Sequence, residues 1–123
     1  PLGTDDRARI KVPCMMFDEF IHHNGLDISR IGLIWIDTQG HEGHILGTSE
    51  ILKRRSVPVY AEVWPYGLLR SAGYDLFIRF IKDNYENYVE LDSESIAAER
   101  TCDIDNLMNR LGGTGRFTNI LLY

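Results

Sequence analysis

Asp37, His41, Glu42 and His44 fall in one short stretch, and Glu62 stands near the end of a later apolar run. Carboxylates and imidazoles take up protons and hold cations, so chemistry is to be sought here first. Asp37 closes the run Leu33-Ile34-Trp35-Ile36, and a polar turn, Thr38-Gln39-Gly40, follows it. A carboxylate so placed either caps the next helix or faces a ligand. Glu62 interrupts the otherwise apolar Val57-Pro58-Val59-Tyr60-Ala61-Glu62-Val63-Trp64. Burying an unpaired charge is expensive, so Glu62 must have a partner or face a crevice. Glu42 reads as a helix-end carboxylate or a substrate contact. All five side chains are donors that a divalent ion accepts. The H-E-x-x-H spacing of zinc proteases is not met, because Ile45 stands where the second histidine would be. No metal ligands are assigned, and a metal-dependent hydrolase stays as an alternative. Gly40 and Gly43 read as backbone needs of the turn. Trp35 and Trp64 read as core, although Trp64, at a strand end, also suits a pocket wall.

These residues need a frame to meet. A short, continuously apolar run predicts a strand over 32–37 buried on both faces, as in a parallel α/β sheet. In open sheets of that kind ligands gather at the carboxyl ends of the strands, where Asp37 falls. A helix over 42–54 follows, with Glu42 at its positive end and Lys53, Arg54 and Arg55 at its negative end. Each placement favours the helix dipole by about 0.3–1 kcal/mol. Ahead of this unit, Ile10-Lys11-Val12 predicts a brief strand. Met16, Phe17, Phe20 and Ile21 predict a helix with Asp18 and Glu19 on its other side, ending at Asn24-Gly25. After it come a strand to Trp64, ended by Pro65, and a helix over 70–83 from Tyr74, Phe77, Ile78 and Ile81. A strand over 85–91 follows, then residues 92–102, which carry no readable pattern. Asp103 is placed as the cap of a helix with stripe Ile104, Leu107, Met108 and Leu111, and a last strand spans 117–123. Strands alternating with helices predict an α/β domain. The cluster Gly112-Gly113-Thr114-Gly115 follows a helix rather than a strand, so it reads as a connection, not a phosphate cradle.

Composition narrows the partners. The 123 residues carry a net charge of −5, and no basic cluster exceeds Lys53-Arg54-Arg55, which argues against nucleic acid. No run is long and apolar enough to span a membrane, and no secretory signal opens the sequence. Cys14 and Cys102 fit no zinc spacing; without a signal they read as reduced thiols in a cytoplasmic protein.

At Ile36-Asp37-Thr38-Gln39-Gly40-His41-Glu42, followed by Ile45-Leu46-Gly47, the sequence resembles the FkbM family of S-adenosylmethionine-dependent methyltransferases. Phe17-Asp18-Glu19-Phe20 is similar to the family's Leu-Asp element ahead of that strand. Ala61-Glu62-Val63-Trp64-Pro65 is similar to its next strand with a terminal Glu, and Phe117 to Tyr123 to its closing strand. The resemblance implies the C-terminal half of a class I (Rossmann-like) methyltransferase sheet, mostly parallel with an antiparallel closing strand. It implies one partial domain over 1–123 whose glycine-rich N-terminal half is absent, so that S-adenosylmethionine binds only to the complete protein. The implied reaction is O-methylation of a hydroxyl on a sugar or small natural product. Asp37 and Thr38 are then assigned to the cofactor, and Glu42, Glu62 and Trp64 to the hydroxyl-bearing acceptor. Methyl transfer is an in-line displacement governed by alignment; a base matters when the acceptor must lose a proton, and Asp37 and His41 are the candidates. A non-catalytic methyltransferase-fold domain used for binding or assembly is the second reading. Either way the strand at 32–37 would present an open edge, predicting a dimer or pairing with a missing N-terminal segment.

Overall fold

The computed structural model describes residues 10–54, 57–94, 96–112 and 115–123; the expectations for residues 4–9, Arg55, Gly113 and Thr114 lie outside them. The first helix, α1 (Phe17–His23), forms where the apolar spacing places it and buries Ile21. Its Asp18 is half-buried. It accepts hydrogen bonds from Ser49 Oγ at 2.5 Å and from the backbone N–H of Glu50 and Ile51 at 2.9 and 3.3 Å. That contact divides the helix expected over 42–54 into α2 (Glu42–Thr48) and α3 (Glu50–Arg54). Ser49 Oγ also accepts the Leu52 N–H at 3.1 Å, so a new helix start is capped where the old helix would have continued. Ile10-Lys11-Val12 forms no strand: Ile10 and Val12 are 83% and 64% exposed, and so short an alternation has no sheet to join.

Among the described residues five strands follow: β1 (Ile34–Ile36), β2 (Val59–Val63), β3 (Asn87–Glu90), β4 (Ala98–Arg100) and β5 (Thr118–Leu122). They form one open sheet in the order β1-β2-β5-β3-β4. The class is α/β, but the expectation of a mostly parallel sheet fails. Only β1 and β2 are parallel; the β2–β5, β3–β5 and β3–β4 pairs are antiparallel. The closing strand β5 runs antiparallel, as expected, but lies between β2 and β3 and so makes two of the three antiparallel pairs; connection length accounts for the third. A parallel pair needs a crossover of about a dozen residues or more, which α2 and α3 supply between β1 and β2. The link from β3 to β4 is too short for one, so β4 folds back out of the stretch that carried no pattern. Pro65 ends β2 and also opens a further helix, α4 (Pro65–Arg70), at the position proline tolerates best. The helix expected over 70–83 begins later, as α5 (Tyr74–Asn84). Asp103 precedes α6 (Ile104–Leu111) but makes no side-chain cap bond, because a 3-10 turn, Thr101–Asp103, leads the chain into the helix.

The two faces of the sheet differ. Ile34, Ile36, Val59, Ala61, Val63, Tyr88, Ile120 and Leu122 are buried in one cluster with Leu46, Leu68, Phe77, Ile81 and Leu107 from the helices. The opposite face carries Trp35, Tyr60, Leu121 and Val89, none of them buried. Trp35 is 67% exposed and rests on the Tyr60 ring, with centroids 4.0 Å apart. The strand at 32–37 is therefore buried on one face only, and Trp35 is not core. No helix among the described residues is long and apolar enough to cross a membrane, and Cys14 and Cys102 are both free.

Candidate functional site

Because β1 and β2 are parallel, their carboxyl ends lie side by side. Ile36 pairs with Ala61, so the next residues along, Asp37 and Glu62, are neighbours on the bare face. The carboxylates of Asp37, Glu42 and Glu62 each bring an oxygen within 4.8 Å of the others. Like charges so close repel one another, and something must hold them there.

The turn between β1 and α2 does so. Gln39 has φ 55° and Gly40 φ 103°. A side chain on Gly40 would stand 2.5 Å from the Gly67 carbonyl carbon, so α4 packs directly on the turn backbone. One step on, a Cβ on Gly43 would run into the carbonyl oxygen of Gly73. Protein backbone therefore fills the space beside both glycines. Ser71 Oγ donates to Gly40 O at 2.5 Å, and His44 Nε2–H donates to Ser71 O at 2.8 Å.

Glu42 is fully buried and closes the turn from inside. Its Oε1 accepts Thr38 N–H at 2.6 Å and Thr38 Oγ1 at 2.9 Å; its Oε2 accepts Gly40 N–H at 3.0 Å. Thr38 is thus turned towards Glu42. Asp37, by contrast, is exposed. Gln39 Nε2 donates to Asp37 Oδ1 at 2.9 Å and to Glu62 Oε2 at 3.2 Å, bridging the two strand ends. Glu62 is 7% exposed and has no cation among its described partners. Burial, then the Asp37 and Glu42 carboxylates, push its carboxyl above the ordinary range, against the opposing Gln39 hydrogen bond. Burial, with Asp92, Asp37 and Glu62 nearby, likewise raises the Tyr60 hydroxyl.

The structure thus gathers Asp37, Thr38, Glu42 and Glu62. His41 precedes α2 with its ring exposed, 5.9 Å from the His44 ring. Trp64, half-buried, lies against Gly67 and so behind the turn. Its ring is 5.6 Å from Tyr66 and has Arg70 Cζ 5.7 Å from its centre, and its buried Nε1–H has no partner among the described residues. Gln39 and Ser71 are residues that sequence reasoning missed. Gln39 lay inside the quoted motif, while nothing in the sequence marks Ser71.

A family model described as the methyltransferase FkbM domain matches residues 1–66, which takes in β1, the turn, α2 and β2. No curated protein and no solved structure matches the chain.

Proposed function

We propose, from the premise that this chain belongs to the FkbM methyltransferase family, that the ends of β1 and β2 form one wall of a methyl-transfer site. The acceptor is a hydroxyl on a sugar or other small natural product, and the methyl donor is S-adenosylmethionine. One observation carries the reading: Asp37 and Glu62, from two parallel strands, stand together at the sheet's carboxyl edge with no cation among the described residues to neutralise them.

The donor set fits part of the cofactor. The lone pairs of Asp37 suit its cationic methionine end, beside Thr38, whereas backbone fills the space beside both glycines of the β1–α2 turn. The cofactor supplies a methyl group on a sulfonium. This chain's residues then do the aligning. Asp37 accepts the acceptor's hydroxyl hydrogen bond and takes its proton as the oxygen becomes an ether; exposed His41 is the second group able to do so. Glu62 orients the acceptor, Glu42 holds the turn, and Trp64 backs it. The glycine-rich cofactor loop is supplied by a further segment that pairs with the outer edge of β1.

Methyl transfer from labelled S-adenosylmethionine, measured on the polypeptide that includes such a segment, tests this. Asp37→Asn is expected to lower turnover by roughly a hundredfold or more with an unchanged unfolding transition. Parent-like turnover in Asp37→Asn would remove Asp37 from the site. Calorimetry of the 123-residue chain alone is expected to show at most weak binding of S-adenosylmethionine; tight binding would contradict the shared site.

A further inference from the structure

Gln39 is an odd choice for its place. A left-handed backbone costs a residue with a side chain about 1–2 kcal/mol, and glycine would avoid that cost. The turn does not need the glutamine. Its backbone is pinned before Gln39 at Thr38 N–H and after it at Gly40 N–H, both held by Glu42, and again at Gly40 O by Ser71. What Gln39 adds is its side chain, and that side chain reaches the two acids.

The amide is also the informative chemistry. One nitrogen with two hydrogens serves both carboxylates. A lysine or arginine there would neutralise the acids, and a glutamate would add a third negative charge. A neutral amide occupies one lone pair on each acid and leaves their net charge in place for a ligand.

We propose that Gln39 is a positioning residue: its amide clamps Asp37 to Glu62 and turns their remaining lone pairs towards one hydroxyl or ammonium group of the ligand. The ligand's nature rests on the function proposed above; the clamp does not. The groups that bear on it are Asp37 at the end of β1, Glu62 and Tyr60 on β2, Glu42 on α2, and Asp92 beyond β3.

Carboxyl carbon NMR titration of the 123-residue chain separates the two claims. In Gln39→Gly and in Gln39→Asn, whose side chain is too short to span the gap, Glu62 is expected to titrate at higher pH than in the parent. Gln39→Gly should keep or raise the thermal midpoint, since it relieves the backbone. Titration of Glu62 as in the parent, in both folded variants, would overturn the clamp. So would a Gln39→Gly chain that loses stability while its Glu62 titration stays put, because that is a purely structural glutamine. In the complete enzyme, Gln39→Asn should raise KM for the acceptor roughly tenfold, the loss of about one charge-assisted hydrogen bond, with a smaller change in kcat. Absence of methyl transfer from the parent would count against the proposed reaction and leave the titration result standing.

Discussion

Glu62 and Glu90 are each 7% exposed, and each lies on a strand of the same sheet. Their surroundings are opposite. Glu90 points to the covered face, where Arg110 meets both its oxygens at 3.3 and 2.5 Å. Glu62 points to the bare face, where its neighbours are a neutral amide and two carboxylates. A buried charge with its cation in place belongs to the fold. A buried charge without one is costly, and such groups mark sites where ligands bind. Equal burial therefore says nothing about role; the presence or absence of a cation does.

The comparison breaks hardest if the turn that assembles the Glu62 site is damaged. Gly40→Ala adds a side chain against Gly67 and strains a backbone at φ 103°. The expected loss is about 3 kcal/mol or more in denaturant unfolding, from overpacking and strain together. A loss under about 1 kcal/mol would show that the turn is not packed as described.

Arg110→Ala strips Glu90 of its cation. Because the Arg110 side chain is 55% exposed, water can replace part of what is lost, and the expected cost is about 1–3 kcal/mol. The same measurement on Glu62→Gln should show no loss, which is the sharpest form of the contrast. Equal losses in the two variants would erase it.

Glu62→Gln also carries a pH signature. The folded state raises the Glu62 carboxyl above its ordinary value, mainly through burial. Its contribution to stability is then fully present below that value and is lost as pH rises through the folded-state value. Thermal midpoints measured across this window should fall with pH more steeply in the parent than in Glu62→Gln. Parallel curves would mean that Glu62 is not perturbed.

Much of this arrangement was legible before the structure. The apolar run ending in Asp37 and the second run holding Glu62 predicted two strands, each with a carboxylate near its carboxyl end, and the stripes of α5 and α6 predicted their buried faces. What escaped depended on contacts distant in sequence. The break at Ser49 is made by Asp18, 31 residues away, and no local propensity announces it. α4 was hidden because Pro65 stops a strand and starts a helix with equal ease. Trp35 was misplaced because a run of apolar residues cannot say whether its second face will be covered. Gln39 was passed over because a backbone angle of 55° is invisible in a residue name.

A small change in stability is expected at Trp35, and it tests why the Glu62 face is bare. Leu33 is 49% exposed and Trp35 67%, and β1 pairs only with β2 among the described residues. An apolar, unpaired edge of this kind is prone to join another chain. Trp35→Ser removes little buried surface, so unfolding free energy should move by no more than about 0.5 kcal/mol. Association should respond more. Sedimentation velocity of the 123-residue chain is expected to show dimer growing with concentration, and Trp35→Ser should suppress it. A parent that stays monomeric at high concentration would sink the idea that this edge seeks a partner. The bare face would then be left to the small ligand proposed for Asp37 and Glu62.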